Sequence, residues 1–542
     1  MNQPETLYFN ANVFTMDREV PRAEALLVRN GRIAVMGPDE LVETQVGPMT
    51  RRVDLEGMTV IPGFNDCHCH ILSFGLTLGQ LDVGADAVRT IDDILRGVAE
   101  RMRQMPDGAW LIGRGYDQNA LEERRHPSRA DLDRADNSNP VVLWHTSGHA
   151  LTCNTRALQL AGIGADTPTP AGGDIERDVH GEPTGVLKEM PATDLLNAAI
   201  PPPTAAQGTE AIIRAMQVMA GEGITSASDA STGQGPSIST ALEMYGNALT
   251  SGQLAGRITL MPQIIYVAPP DSGEIHQPEE FQVGNQPDWL DIGPTKIFSD
   301  GALTTRTAAL REQYADDGTN SGLLIWDPKT LDGMIRRAHD AGWQIATHAI
   351  GDRAIEITVA CYERALSELP RPDHRHRIEH CMLLDRELAL RIKQVGVVPV
   401  LQPAFIARLG DAYIDGLGME RASHVMPLEL FDWNSIPLGF SSDRPVIPGE
   451  PLRGIRAAME RVTPRGTRLG RQHTIGPLQA IRHYTSGSAL ATHSEHRRGT
   501  LRLNMPADFT VLSENPAETP LEDFGTVQVV KTVVDGIEVF SR

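Results

Sequence analysis

The chain has 542 residues, of which 41% are hydrophobic and 22% are charged, and its formal net charge is −21. This composition is typical of a globular protein and excludes a disordered or fibrous chain. The acidic excess argues against a nucleic-acid-binding protein, because contacts to phosphates need clustered Lys and Arg. No apolar run approaches the ~20 residues of a membrane span. The N-terminal segment lacks the basic and apolar regions of a secretory signal.

The cysteines are few and scattered: Cys67, Cys69, Cys153, Cys361 and Cys381. An odd, dispersed set does not predict a disulfide framework and favours a reducing compartment. We therefore expect a cytoplasmic protein that acts on a small-molecule substrate, with no nucleic-acid or membrane partner.

Both ends of the chain predict short β-strands. An Asn-Gly pair at 30–31 and an Asp-Gly pair at 535–536 are typical of tight hairpin turns, and each lies between β-forming segments. We expect residues 1–60 and 495–542 to form one small β-sandwich domain.

Strand-like and helix-like segments alternate between these ends. There are eight candidate strands: Thr59–His70, Gly223–Ala230, Ile258–Tyr266, Ile292–Gly301, Trp343–Ile350, Arg375–Cys381, Val397–Pro403 and Pro437–Asp443. Amphipathic helical patterns separate most of them, for example over 330–342. Eight strands that alternate with helices predict an α/β fold with a parallel (β/α)8 barrel, the TIM barrel, over 61–494.

A long stretch separates the first two candidate strands. It contains a helical pattern over 91–105 and a strand-like segment over 140–148. Structureless loops of this length are rare. We therefore expect an insertion domain over 75–205, within the barrel.

The first candidate strand ends in a His-Cys-His motif. Because side chains alternate in direction along a strand, His68 and His70 face one way, whereas Cys67 and Cys69 face the other. Two imidazoles on one face at the end of a barrel strand form half of a metal site. Taken alone, the motif is equally typical of structural histidines, and the cysteines are expected to be buried thiols.

Other candidate strands also end in residues that can bind a metal or move a proton: Lys296, His348, His380 and Asp443. In α/β barrels the catalytic groups come from the carboxyl ends of several strands. So many suitable strand ends would rarely coincide by chance. The sequence therefore predicts a metal-dependent catalytic site.

These segments also carry a family resemblance. The chain resembles the amidohydrolase superfamily in five motifs: IPGFNDCHCH, KIFSDGALTTRTAAL, THAIGDRA, RIEHC and SSDRPV. It is most similar to the amidohydrolase family 3 branch, which includes N-substituted formamide deformylase-like enzymes. The resemblance covers nearly the whole chain, including SGHALTCNTRAL in the insertion and ADFTVL near the C-terminus.

The resemblance implies a TIM barrel with a terminal β-sandwich and one or two divalent ions, Zn²⁺ first and Mn²⁺ or Fe²⁺ as alternatives. The residues that match the family's ligand positions are His68, His70, Lys296, His348, His380 and Asp443. The first two histidines would bind the more buried ion, with Asp443 nearby. The two later histidines would bind the second ion.

In family members with two ions, a lysine carboxylated by CO₂ bridges them, and Lys296 matches that position. A carbamate supplies two anionic oxygens that can span ions ~3.5–4 Å apart, whereas a free lysine is a cation. The alternative is an unmodified Lys296 that pairs with Asp300 or contacts the substrate.

We expect a hydrolase that cleaves an amide-type, non-peptide C–N bond in an N-substituted formamide, an N-acyl amine or a cyclic amide. Hydroxide activated by the metal would attack the carbonyl carbon, with Asp443 as general base and then general acid. In the resembling family the segment around His149 lies by the active site, so His149 is predicted to contact the substrate or the oxyanion. His145 is expected to be structural.

Arg306 and Arg444 are candidates for binding an anionic group of the substrate, although arginines in such places more often form ion pairs. Five aromatic residues are candidates for a pocket, with burial in a core as the default: Trp110, Tyr116, Trp144, Phe405 and Trp433.

Two other functions stay open at this point. One is a lyase such as a decarboxylase on the same barrel, because a metal stabilises an enolate as well as an oxyanion. The other is a non-catalytic binding protein. The complete set of candidate ligands favours an enzyme, for which a homodimer is the default assembly.

Overall fold

The structure, a computed structural model, describes residues 5–135, 138–146, 148–170 and 172–542. The chain divides into two compact units. The larger consists of Met1–Gly75 and Ala205–Arg542, and the smaller consists of Leu76–Thr204. Within the described residues, no helix has both the length and the apolar character needed to cross a membrane.

The N-terminal part of the larger unit is mostly β-structure. Its elements are β1 (Thr6–Phe9), β2 (Asn12–Phe14), β3 (Arg22–Ala23), β4 (Ala25–Arg29), β5 (Arg32–Gly37), α1 (Asp39–Glu43), β6 (Arg51–Asp54), β7 (Thr59–Pro62), β8 (Phe64–Cys69) and α2 (Ile71–Leu78).

The smaller unit contains a mixed sheet and helices. Its elements are β9 (Leu81–Asp82), α3 (Ile91–Met102), β10 (Leu111–Tyr116), α4 (Arg129–Ala135), β11 (Val141–His145), β12 (Ala150–Cys153), α5 (Thr155–Leu160), β13 (Asp174–Arg177), β14 (Pro183–Lys188) and α6 (Met190–Asn197). The strand order is β13-β14-β12-β11-β10-β9. A capping box between Thr90 and Asp93 starts α3, whose apolar face is buried in the core of this unit.

Strands and helices alternate through the rest of the larger unit. The elements are α7 (Ala205–Gly221), β15 (Ile224–Thr232), α8 (Ile238–Thr250), β16 (Arg257–Pro262), α9 (Ile264–Val267), β17 (Leu290–Ile292), β18 (Thr295–Phe298), α10 (Pro328–Asp340), β19 (Ile345–Ala349), α11 (Asp352–Glu368), β20 (Arg377–His380), α12 (Arg386–Val395), β21 (Val398–Leu401), α13 (Ala404–Ala422), α14 (Leu428–Trp433), β22 (Gly439–Phe440), α15 (Pro451–Glu460), α16 (Pro477–Arg482), α17 (Ser488–Ala491), β23 (Phe509–Leu512), β24 (Val529–Val534) and β25 (Ile537–Ser541).

Two parallel sheets form the centre of the larger unit. One has the order β17-β16-β15-β8 and the other β18-β19-β20-β21-β22. Their strands are almost entirely buried, as expected for parallel strands covered by helices. The α/β class with parallel sheets is therefore as predicted.

Backbone contacts also connect the two parallel sheets. Gln263, after β16, forms a parallel bridge with Lys296 in β18. The N–H of Asp443 donates to the carbonyl of His68 over 2.8 Å, and the N–H of His70 donates to Arg444 over the same distance. These bonds bring the carboxyl end of β8 beside the segment that follows β22.

Strands from both chain ends form two further sheets, with the orders β5-β4-β1-β6 and β25-β24-β23-β7-β2-β3. The sheets share a hydrophobic core that includes Tyr8, Leu26, Val60 and Phe509. Whether they form a β-sandwich domain separate from the barrel region stays a prediction.

Two candidate strands are each divided in the structure. Thr59–His70 becomes β7, which pairs in the terminal sheet, and β8, which pairs with β15. Gly63 lies between them, and a Cβ there would be 2.1 Å from the side chain of Thr225. Ile292–Gly301 becomes β17 and β18, because Pro294 has no N–H with which to continue the ladder.

Candidate metal centre

The six candidate ligands meet at the carboxyl ends of the parallel strands. All of them line one cavity of about 230 Å³: His68, His70, Lys296, His348, His380 and Asp443. They come from five separate strand ends, as the alternation of strands and helices predicts.

His68 lies at the centre of this group. Its Nε2 is 3.3 Å from Nζ of Lys296 and 3.4 Å from Oδ1 of Asp443. The same carboxylate oxygen is 3.1 Å from Nε2 of His70. His68, His380 and Asp443 are buried, and each presents one ligand atom within 4.8 Å of the others. This donor set is suited to a divalent transition metal ion.

The two later histidines lie beside this group, with their ring centroids 4.5 Å apart. His380 Nδ1 donates to Oε1 of Gln402 over 2.7 Å, and His348 Nε2 donates to the carbonyl of Gly301 over 3.0 Å. Each ring thus binds the protein through one nitrogen, and its other nitrogen is left to bind a metal ion. Metal-binding histidines are commonly held in this way.

Glu379 fixes the ring of His68 through its Nδ1 atom. Its carboxylate contacts His68 Nδ1 and accepts two hydrogen bonds of 2.8 Å from Arg377. Burial alone would raise the pKa of Glu379, but the guanidinium of Arg377 and the ring of His68 lower it far below its ordinary value. The anionic Glu379 therefore orients His68. Glu379 and Gln402 were not among the candidates predicted from the sequence, although alternation within RIEH places Arg377 and Glu379 on one face.

Lys296 is buried beside the histidines, and this burial lowers the pKa of its amine to about 8. The predicted alternative partner, Asp300, accepts backbone hydrogen bonds of 2.9–3.0 Å from Ala309, Ile350 and Gly351 instead. Burial raises the pKa of Asp300 to about 7. Asp300 thus holds the loop after β18 against the start of α11.

Two of the candidate ligands have a backbone conformation that only glycine adopts easily. The φ angles are 71° at His380 and 59° at Asp443. Such residues cost of order 1–3 kcal/mol each and are concentrated at functional sites. The backbone conformation that directs these two side chains toward the cavity therefore lowers the free energy of unfolding.

The remaining wall of the cavity is largely apolar. It includes Phe298, Leu303, Ile350, Met382, Phe405, Leu409, Tyr413 and Val446. Of the predicted pocket aromatics, Phe405 lies in this wall, whereas Trp433 is largely exposed. Tyr116, Trp110 and Trp144 pack in or against the cores of the smaller unit.

The cysteines beside the ligands point away from the cavity. Cys67 Sγ donates to the carbonyl of Phe440, and Cys69 Sγ donates to that of Ser228. Burial raises the pKa of Cys67 to about 12. Both are buried thiols, as alternation along the strand predicts.

The two candidate substrate arginines form ion pairs. Arg306 binds the carboxylate of Asp316 at 2.6 Å, and Arg444 binds that of Glu222. Neither belongs to the cavity lining. Each guanidinium thus forms the ion pair that was the alternative, and binding of an anionic substrate group by either arginine stays a prediction.

His149 lies in the smaller unit. Its side chain is 55% exposed, and Nδ1 is 3.1 Å from the carboxylate of Glu189. His145 Nε2 is 3.8 Å from Asp117. The substrate or oxyanion contact predicted for His149 stays a prediction.

Comparisons with known proteins agree on one family. The model described as the amidohydrolase family matches residues 51–540. YtcJ of Bacillus subtilis is 33% identical over 99% of this chain and 100% of its own length. The N-substituted formamide deformylase of Arthrobacter pascens is 28% identical over 99% of this chain and 98% of its own. The crystal structure of an uncharacterized metal-dependent hydrolase from Pyrococcus furiosus is 26% identical with a TM-score of 0.76, covering 95% of this chain and 100% of that one.

Proposed function

Because the chain belongs to the amidohydrolase family, we propose that it is a metal-dependent hydrolase of an amide-type, non-peptide C–N bond in a small molecule. The observation that carries this proposal is the cavity in which all six candidate ligands meet. One relative is an N-substituted formamide deformylase. This favours N-substituted formamides as substrates, followed by N-acyl amines and cyclic amides.

The ligands fit one or two divalent ions, with Zn²⁺ as the first candidate. His68, His70 and Asp443 would hold one ion, and His348 and His380 the other. Glu379, Gln402 and Gly301 each contact one ring nitrogen of a candidate ligand, namely His68, His380 and His348 in that order. The second nitrogen of each ring is left for an ion, which supports the fit. An ion bound there polarises a carbonyl and lowers the pKa of a water molecule toward neutrality.

Lys296 is proposed to carry a carbamate formed with CO₂. Its Nζ lies 3.3 Å from a ring nitrogen of His68 and is buried. An ammonium group at this place would repel a divalent ion strongly in so dry an environment. A carbamate replaces that cation by an anion whose two oxygens serve as ligands.

The two parallel sheets are proposed to be one (β/α)8 barrel. Support comes from the bridge between Gln263 and Lys296 on one side, and from the hydrogen bonds that join His68 and His70 to Asp443 and Arg444 on the other. A barrel is the arrangement that brings the first and the last strand side by side.

Asp443 is proposed to move the proton of the reaction. Burial tends to raise the pKa of Asp443, but hydrogen bonds with His68 and His70 lower it well below its ordinary value. The ionised carboxylate accepts a proton as the oxygen of water bonds to the carbonyl carbon. It returns this proton to the nitrogen as the C–N bond breaks.

The wall of the cavity indicates the character of the substrate. Among the described residues that line it, those outside the ligand set carry no charge. The apolar side chains favour an uncharged substituent near the bond that is cleaved.

Metal content and turnover test the proposal together. Protein purified without chelator should hold one to two zinc ions per chain by ICP-MS and should hydrolyse members of a panel of N-substituted formamides and N-acyl amines. His380→Ala should lower metal content and turnover, whereas His180→Ala, at an exposed position of the smaller unit, should change neither. CO₂ release without uptake of water would indicate a lyase. Absence of turnover with added Zn²⁺, Mn²⁺ or Fe²⁺ and bicarbonate would contradict the hydrolase.

A further inference from the structure

The cavity wall contains a polar group that the ligand set does not use. Tyr413 lines the cavity and is only 2% exposed. Its hydroxyl forms no hydrogen bond with any of the residues that the structure describes. The hydroxyl is not one of the side-chain atoms that are both closed off from solvent and unpaired, so it is open to the cavity. A hydroxyl without a partner at a cavity surface is therefore suited to bind what enters the cavity.

The helix α13 positions this hydroxyl. Phe405, Leu409 and Tyr413 are spaced four residues apart on one face of the helix, and all three line the cavity. The ring of Phe405 is stacked 6.1 Å from that of His380. These three side chains of α13 therefore lie along the side of the cavity that holds the candidate metal ligands, and the hydroxyl of Tyr413 is the polar group among them.

Asp443 lies close enough to affect the phenol. Burial and the negative charge of Asp443 both raise the pKa of Tyr413 above its ordinary value. A phenol with the ordinary pKa of ~10 is already protonated at neutral pH, so the hydroxyl can donate a hydrogen bond without any shift.

We propose that Tyr413 is a catalytic residue whose hydroxyl donates a hydrogen bond to the carbonyl oxygen of the substrate while negative charge develops there. This role rests on the proposed hydrolase function. As the oxygen of water bonds to the carbonyl carbon, the C=O π electrons move to the carbonyl oxygen. The hydrogen bond from Tyr413 stabilises that charge without transfer of the phenolic proton.

The second half of the reaction uses a different group. When the C–N bond breaks, its electrons leave with nitrogen, which receives the proton held by Asp443. The C=O bond re-forms at the same time, and the hydrogen bond from Tyr413 weakens. The phenol thus acts on the oxygen and the carboxylate acts on the nitrogen, and the protons balance. Loss of one donor to a developing oxyanion typically lowers kcat by about 10²–10³-fold.

Tyr413→Phe removes this hydroxyl alone. We expect kcat to fall by about 10²–10³-fold, with KM and metal content nearly unchanged. Tyr8→Phe is the matched control, because Tyr8 is equally buried at 2% exposure but packs in the terminal sheets. That variant should keep the full kcat.

Two further measurements separate this role from a structural one. A tetrahedral phosphonamidate analogue, titrated calorimetrically into the metal-loaded protein, should bind about 10–100-fold more weakly to Tyr413→Phe and normally to Tyr8→Phe. For a matched thioamide, whose sulfur is a weak acceptor, the substitution should lower kcat less than for the amide. Equal reductions would place the hydroxyl at the nitrogen and overturn the assignment to the oxygen.

A failure of the role proposed for Tyr413 and a failure of the proposed hydrolase function give different results. A wild-type enzyme that hydrolyses amides, together with a Tyr413→Phe variant of equal kcat and equal analogue affinity, overturns the role of Tyr413 and leaves the hydrolase intact. A metal-loaded wild-type protein that hydrolyses no amide overturns the proposed function and, with it, the role of Tyr413.

Discussion

The histidines of the candidate metal centre are held by neighbours that are not themselves candidate ligands. Glu379 holds Nδ1 of His68, and Gln402 holds Nδ1 of His380, so each imidazole presents Nε2 to the cavity. Partners of this kind set the tautomer and the ring orientation before a metal binds. We therefore expect the affinity of the candidate site for a metal ion to depend partly on Glu379 and Gln402.

Glu379→Gln should weaken metal binding by about 10–100-fold, because the amide is a poorer acceptor for His68 and cannot neutralise Arg377. Competition with a fluorescent chelator measures this affinity. Glu363→Gln is the control, since Glu363 forms a similar bidentate pair with Arg391 in a more exposed place. Equal affinities in the two variants would show that Glu379 does not support His68.

Asp443→Asn tests the proposed role of Asp443 as proton carrier. Because an amide cannot accept the proton of water, kcat should fall by about 10²–10⁴-fold. Metal content by ICP-MS is measured on the same sample, since Asp443 is also a candidate ligand. Near-full kcat with the metal retained would contradict its role as general base.

At the scale of elements, the loop over 302–326 forms part of the cavity wall and is held by a hydrogen bond to Asp300, the residue at the end of the preceding segment. Asp300 accepts hydrogen bonds from the loop at Ala309 and from the start of α11 at Gly351. The two backbones approach so closely that a Cβ at Gly351 would lie 1.9 Å from the carbonyl oxygen of Ala309. Glycine is therefore required where the loop meets the helix.

Gly351→Ala should destabilise the protein by about 1–3 kcal/mol through overpacking, and it should raise KM because the displaced loop carries Leu303 of the cavity wall. Urea unfolding and steady-state kinetics measure the two effects. Gly333→Ala is the matched control, since a Cβ there meets no atom within 4 Å inside α10. It should stabilise the helix by about 0.5–1 kcal/mol. Equal stabilities for the two variants would refute the packing argument.

At the scale of the whole molecule, a set of neutral histidines joins several elements at the other ends of the strands. Nδ1 of His376 accepts from the N–H of Ile345, so its Nε2 donates to Nδ1 of His339 over 2.8 Å. His339 Nε2 in turn donates to the carbonyl of Leu369. The two bonds in which an imidazole nitrogen accepts, from Ile345 to His376 and from His376 to His339, require neutral rings. Burial lowers the pKa of both histidines below the ordinary 6.5.

This set should make stability fall in mild acid. Below pH ~6.5 the unfolded histidines take up protons that the folded ones do not, so the free energy of unfolding decreases as pH falls toward the folded pKa values. Urea unfolding of the chelator-treated protein at pH 7.5 and 5.5 measures the change. His339→Gln should lose less stability between the two pH values than the wild type. Equal losses would show that the network does not contribute.

The family, the α/β class and the candidate ligands were accessible from the sequence alone. Each ligand lies at the end of a β-forming segment, and the two-residue period of a strand decides that His68 faces the cavity and Cys67 does not. These are local properties, because they depend on a few neighbouring residues and on the rule that parallel strands gather their carboxyl ends at one edge. Composition and net charge also need no tertiary structure, and they argued against a disordered, fibrous or nucleic-acid-binding protein.

The tertiary structure decided what surrounds the ligands. Glu379 and His68 are 311 positions apart in the chain, and no local pattern records such a pairing. The same holds for Arg444, a candidate for substrate binding in the sequence that forms an ion pair with Glu222 in the fold. It also holds for Tyr413, whose hydroxyl is distinguished only by the absence of a partner among the described residues. Contacts between distant segments depend on how the elements pack, and packing is settled by the whole chain rather than by any one motif.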